Sequence, residues 1–332
     1  MITPFGLRHI WLMRQLQGVS LTLDPRSALL EEPVTPLRTA LRGYFLKSTA
    51  GASTYVLRTA DHGAEWSGFV QARGQKTGWA WNVVRMAPVL DHSEDAATIW
   101  YRLLLHLCIA AGERQVQRLF VALPQDSWAE EVFRQASFAV YCHERVFGLT
   151  SVQGRGRPSS RVQPMLPEDR WDVQRLCHRV TPRLVLQAEE PNDARGGPGP
   201  LEIASETEHG HVLRTTHTEL GGYLHVLARP RGTWLRLLVN PEAGDALAEM
   251  LDHALALLNE RPPQPVYCAV RDYQGGMQAA LAERGFVPLE AYSLLVKHTT
   301  VHVKEPVRKL VSVLEKRAEV APTVSRSETG DR

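Results

Sequence analysis

The sequence is first narrowed by what it has little of. Its four cysteines, Cys108, Cys142, Cys177 and Cys268, lie far apart with no CxxC among them. That spacing argues against a disulfide framework and fits buried thiols in a reducing compartment. The formal net charge is only +2 over 332 residues, which gives no electrostatic footprint for nucleic acid or an anionic membrane. No apolar run reaches the ~18 residues of a spanning helix. The first residues mix Arg8, His9, Arg14 and Gln15 with apolar ones, unlike a secretory leader. These absences predict a cytoplasmic protein. GxSxG, Walker A and Rossmann fingerprints are missing as well. His209, His211, His217 and His225 cluster with Glu219, but no HxxxH or similar ligand spacing occurs, so no metal is expected.

What is present is a repeat. Trp81–Pro88 lines up with Trp234–Pro241, Leu104 and His106 with Leu251 and His253, Gln117–Ala122 with Gln264–Ala269, and Gln135–Phe138 with Glu283–Phe286. Trp11 and Leu16 match Trp171 and Leu176 in the same order. Two copies of roughly 150 residues predict two related domains, since solenoid units run to about 20–50 residues. The expected division is residues 1–150, a Gly/Ser/Arg-rich linker at 151–163, a second copy at 164–298 and a tail at 299–332. In the tail, Val307, Leu310, Val311 and Leu314 fall at helical spacing, predicting a short amphipathic helix followed by a disordered end. Glu189–Gly210 is polar and Gly/Pro-rich and reads as a long loop.

Apolar periodicity predicts the same element order in each copy: helix, three strands, long helix, strand, short helix, strand. The helices are expected at 10–17, 36–46, 96–111 and 128–135, then at 168–180, 246–258 and 276–283. Strands are expected at 53–58, 67–73, 79–86, 118–123 and 143–149, then at 211–216, 221–229, 233–239, 265–270 and 291–297. Antiparallel strands followed by a strand–helix–strand unit give an α+β class, with a mixed, mostly antiparallel sheet flanked by helices.

This order, together with Gly285-Phe286 closing the last helix and the segments Trp234–Pro241 and Pro265–Lys297, resembles the GNAT N-acetyltransferases in both copies. The resemblance implies acetyl-CoA as cofactor. Its pantetheine would pair with the central strand, and its pyrophosphate would rest on a Gly-rich (Q/R)xxGx(G/A) loop opening the next helix. It further implies acyl transfer to an amine, with a small molecule or peptide as acceptor. Exposed strand edges or the tail helix could join two copies, so a monomer or a homodimer is expected. Backbone N–H groups and the positive helix end explain why phosphate is held there. The chain departs from that pattern. Residues 89–97 have no glycine and carry Asp91, Glu94 and Asp95, while residues 242–249 have only Gly244 beside Glu242 and Asp245. Where many members place a tyrosine that protonates the leaving thiolate, the sequence has Phe133 and Leu281.

The second copy is therefore the better candidate. Mapped onto it, the resemblance implies that Leu237, Leu238 and Val239 pair with the pantetheine, and that Gly244 and Asp245 border the pyrophosphate. Tyr273 and Gln274, in the turn Arg271–Gly276, would touch the cofactor; a plain turn with a helix cap is the bland alternative. Glu206, Glu208 and Glu219 are candidate bases for an amine, or simply solvated acids. His106 and His253, at equivalent helix positions, read as satisfied core histidines, and Asp126 as a helix cap. Two readings stay open: an acyl-CoA-dependent N-acyltransferase, and a GNAT-like pseudoenzyme kept as a scaffold or ligand-binding module.

Overall fold

The structure is a computed structural model that describes residues 1–46, 52–61, 64–75, 78–90, 94–152, 154–190, 208–215, 219–260 and 262–299. The tail helix, His217, Glu206, Asp91 and most of the long loop lie outside the described residues. The first half contains β1 (Ile2–Pro4), α1 (Ile10–Leu16), β2 (Leu21–Thr22), α2 (Pro25–Leu30), α3 (Pro36–Leu46), β3 (Ala52–Asp61), β4 (Ala64–Gly74), β5 (Ala80–Ala87), α4 (Glu94–Glu113), β6 (Arg118–Pro124), α5 (Trp128–Gln135) and β7 (Ala139–Leu149). The second contains β8 (Val162–Pro164), α6 (Arg170–Val180), α7 (Arg183–Glu189), β9 (Glu208–Arg214), β10 (Leu220–Arg229), β11 (Gly232–Val239), α8 (Ala246–Asn259), β12 (Val266–Arg271), α9 (Met277–Glu283) and β13 (Val287–His298).

Local chemistry accounts for these elements. In α4, Ile99, Trp100, Leu103, Leu104, Leu107, Ala110 and Ala111 are buried along one face, the 3.6-residue stripe that packs a helix on a sheet. Glu94 and Asp95 occupy its first turn, favourable beside the positive helix end. The helix α2 starts at Asp24, whose carboxylate accepts from Ser27 N at 3.2 Å, with Pro25 next to it. Both are helix-start signals.

The strands form one mixed sheet in the order β1-β3-β4-β5-β6-β13-β7-β12-β11-β10-β9-β8, with β2 paired to β5 off this path. Parallel pairing occurs at β5/β6 and β11/β12. The order is symmetric about the antiparallel β13/β7 pair, so each half gives its last strand to the other. Strand β13 pairs with β6, and β7 pairs with β12. The cores follow this exchange. Leu295 of β13 is buried in the core of the first half with Trp100 and Phe133, while Phe147 and Leu149 of β7 are buried in that of the second with Met250 and Leu281. Segments 1–301 accordingly form one compact unit.

One repeat match shifts by a residue. Strand β5 carries an extra residue, Val84, where Gln71 pairs with Arg85 and Ala72 with Val83. Such a bulge flips all side chains on one side of it. Trp81 therefore faces the α4 core, whereas Trp234 faces the opposite side with Leu30 and Ala269.

Candidate functional site

In each half the parallel strands are joined only at their beginning. Strand β5 pairs with β6 from Ala80 to Asn82, and β11 with β12 from Thr233 to Leu235. Beyond these residues the strands part, which leaves a strand edge turned into a gap on each side. Buried main-chain N–H and C=O groups require partners, so what meets each edge decides what the gap can hold.

In the first half the edge is met by the chain itself. Leu21 pairs with Met86 and Thr22 with Arg85, Leu23 N donates to Val84 O at 2.9 Å, and Val89 N donates to Val19 O at 2.7 Å. The other edge of β5 is paired with β4, so residues 19–23 line the side facing β6. A short strand thus fills the place where a ligand arm would pair.

In the second half no strand among the described residues pairs with β11 past Leu235 on that side. Thr233 N donates to Pro265 O, just before β12, and Asn240 N to Gly221 O, in β10. Strand alternation then turns the main-chain groups of Leu237 and Val239 into the gap and those of Leu238 toward Tyr223 of β10. One side chain reaches in: Gln274 Nε2 donates to Leu237 O at 2.7 Å, while Gln274 Oε1 accepts from Arg271 N at 2.9 Å. The structure therefore puts the main-chain groups of Leu237 and Val239 on the gap side, with Gln274 bonded to Leu237 O, and turns those of Leu238 toward β10; the side chains of Leu237 and Leu238 are both buried.

The turn before α8 is held by Ala243 N donating to Asn240 O and Glu242 N donating to Asn240 Oδ1, at 2.9 and 3.1 Å. Gly244 has φ +58, and a Cβ there would meet nothing within 4 Å. Asp245 is the N-cap of α8 without a side-chain cap bond. The Glu242 carboxylate is 3.0 Å from Arg179 of α6, so one of the two acids that would oppose a phosphate already carries a counter-charge.

On the other face of β11 and β12 lies a charged cluster that the sequence did not reveal. Arg271, opposite Glu144 in the β12/β7 register, grips Glu189 at the end of α7 with both terminal nitrogens. Tyr141 OH donates to Glu189 Oε1 at 3.1 Å, and Arg236 of β11 is 3.7 Å from Glu189 Oε2. Tyr273 OH accepts from Arg271 Nη1 at 3.3 Å; its partner is thus the arginine. Burial raises the Glu189 carboxyl, but Arg271, Arg236 and the hydrogen bonds from Arg271 and Tyr141 outweigh it and hold the group below its ordinary value. Burial and the Glu189 charge push the Tyr141 hydroxyl well up, so it keeps its proton. A carboxylate so paired is a poor base, and the adjacent Cys142 thiol, pushed by burial up to about 12, is a poor nucleophile.

Phe133 and Leu281 are fully buried, as expected of core residues. Asp126 is not the cap of α5: it has φ +58 in the preceding turn, and Ser127 is the N-cap. The left-handed turn needed there, which an aspartate tolerates, takes the residue out of the capping position. His106 packs edge-on against Tyr55, and His253 lies beside His211 while its Nδ1 accepts from Ser159 N at 3.1 Å. Among the described residues no group of three His, Cys, Asp or Glu is arranged to hold a metal. All four cysteines are free thiols.

No protein-family model matches the chain, and no curated protein matches it in sequence. Solved structures do match. A GCN5-related N-acetyltransferase from Sphaerobacter thermophilus aligns with TM-score 0.54 and 12% identity, over 90% of this chain and 95% of that one. A GCN5-related glucosamine N-acetyltransferase region of a fungal multi-domain GH3 β-N-acetylglucosaminidase gives TM-score 0.52 and 12% identity, over 90% of this chain and 38% of that one. A tandem GNAT protein from the clavulanic acid biosynthesis pathway is similar at TM-score 0.49 and 13% identity, over 90% and 98%. No helix among the described residues is long and apolar enough to cross a membrane. With the repeated element order and the parted parallel strands in both halves, the chain has the GNAT fold, in two tandem copies.

Proposed function

We propose that the second half binds an acyl-CoA between β11 and β12, and that the chain is an acyl-CoA-dependent N-acyltransferase whose first half serves as its structural partner. One observation carries this reading: among the described residues, of the two parted edges only that of β11 lacks a main-chain strand partner, whereas β5 is paired with Leu21–Leu23. The N–H groups of Leu237 and Val239 would hold the pantetheine arm as an added strand. Gly244 gives close approach at the start of α8, and the N-terminus of this helix favours a diphosphate. The bound cofactor would supply an activated acyl thioester.

The chain's own residues would position and deprotonate the acceptor. The Arg271–Glu189 pair would hold α7 against β12 and stay closed. Deprotonation of the amine is assigned to an acid in or after the long loop, Glu206, Glu208 or the exposed Glu219, because Glu189 is committed to its arginine. The acceptor is a small molecule or peptide amine.

The alternative, a catalytically inactive ligand-binding scaffold, is favoured by Gln274 holding Leu237 O and by the apolar Phe133 and Leu281 at the proton-donor positions. Calorimetric titration of the full chain with acetyl-CoA separates the two. The expected result is a dissociation constant of about 1–100 μM, about 5–8 kcal/mol, abolished in Gly244→Glu. No heat at millimolar ligand removes the acyl-CoA reading, and undiminished affinity in Gly244→Glu removes the assigned position.

A further inference from the structure

We propose that the first half, its own strand gap filled by β2, carries a separate site for a small dianionic metabolite, in the groove between α2–α3 and the β4/β5 face. The groove is about 960 Å³ in volume. Gln71 and Arg85 are cross-strand partners, and Arg73 lies two residues further along β4 on the same face, so two guanidiniums form the floor. Arg38 and Arg42, one turn apart on α3, line the wall.

The charge balance points to an anion. Three acids also line the groove: Asp24, Glu31 and Glu32. Asp24 is used in capping α2, through Ser27 N and Ser27 Oγ at 3.2 and 2.6 Å. Glu31 reaches Arg73 only at 4.0 Å. No carboxylate among the described residues lies within 4.0 Å of Arg38, Arg42 or Arg85. Arg85 is steadied instead by neutral partners, Nη1 donating to Val34 O at 2.9 Å and Nη2 to Thr22 Oγ1 at 3.3 Å. Burial and the neighbouring Arg73 both pull this guanidinium below its ordinary value, a strain that an anion would relieve. Arginine forks bind carboxylate and phosphate oxygens in pairs. A dianion, whether a dicarboxylate or a single phosphate group, would be held between Arg73 and Arg85 on the floor and Arg38 and Arg42 on the wall. Thr22, which pairs with β5, also lines the groove; the segment that closes the first gap thus forms part of the wall of this site.

The test is calorimetry on the full chain at low salt with succinate, inorganic phosphate and acetate. The expected result is binding of succinate or phosphate at about 10–100 μM, with acetate at least about tenfold weaker. A dicarboxylate ligand is indicated if succinate alone binds, and a phosphate ester if phosphate alone does. Arg73→Gln/Arg85→Gln should lose the binding. Arg38→Gln/Arg42→Gln, at exposed helix positions that leave the fold untouched, should weaken it about threefold to tenfold. Gly244→Glu should leave it unchanged, so this site stands or falls independently of acyl-CoA. The proposal is overturned if neither dianion binds more tightly than acetate, or if Arg38→Gln/Arg42→Gln binds as the native chain does.

Discussion

Residues 1–150 expressed alone are expected to give no folded monomer, although they hold one full copy of the sequence repeat. The reason lies in the strand exchange. Both neighbours of β7 are strands of the second half, β13 and β12, so the fragment leaves β7 with no partner in its native position. It also uncovers the edge of β6 from Arg118 to Pro124, which β13 covers in the intact chain, and it removes Leu295, fully buried among Trp100, Phe133 and Phe138. Emptying a site such as that of Leu295 alone costs about 2–5 kcal/mol, against a total stability of about 5–15 kcal/mol for a typical domain. Unpaired edges add a route to aggregation. Circular dichroism melting with sedimentation velocity checks this. The expected fragment has no cooperative transition as a monomer, and adding residues 151–332 restores one. A cooperatively melting monomeric fragment would show that the halves are independent.

Replacing Arg271 by alanine is expected to be the most damaging single polar substitution. The arginine is almost completely buried and holds Glu189, whose side chain is only 11% exposed, with two bonds. Without it, Glu189 keeps Tyr141 and a longer contact to Arg236 at 3.7 Å. Breaking one side of a buried pair typically costs about 3–5 kcal/mol, whereas replacing both sides by apolar groups recovers much of the loss. Urea unfolding should therefore place Arg271→Ala well below Arg271→Met/Glu189→Leu. The pair also sets a pH dependence. The folded Glu189 carboxyl is held below its ordinary value of 4.5, so as pH falls the unfolded chain takes up the proton first. Its contribution is complete above pH 4.5 and is lost as pH drops through the lower folded value. The stability gap between native chain and Glu189→Gln should shrink over that acid range and stay flat above it. A gap that widens in acid would contradict the pairing.

Most elements were legible because their periodicity is strong. Helices α3 and α5 run over the residues that apolar spacing marks, and the parallel pairing of β11 with β12 follows from the strand–helix–strand order. Other features were hidden for definite reasons. Strand β2 has only Leu21 and Thr22, too short for alternation to register. Helix α2 was readable from Asp24-Pro25 but lacks a long apolar stripe. Strands β7 and β13 extend further than expected, to Ala139 and Val287, because partners from the other half pair with their ends. The Trp81–Trp234 match misled by one position because a bulge leaves no mark in composition. Around the gap, the main-chain groups of Leu237 and Val239 share one side of β11 and Gln274 bonds Leu237 O, while strand alternation turns those of Leu238 toward β10. The Glu189–Arg271 cluster was out of reach, since only the exchanged β7 brings Tyr141 and Glu144 next to residues far along the chain.

Among the described residues, the β11 edge has no strand partner past Leu235, whereas the β5 edge is closed by Leu21–Leu23. Residue-resolved amide hydrogen exchange of the full chain, with and without saturating acetyl-CoA, tests this most directly. The expected result is slowed exchange at the amides of Leu237 and Val239 and at the start of α8, with Leu238 and residues 84–86 unaffected. Protection that appears along 84–86 instead, or at neither edge, would contradict it.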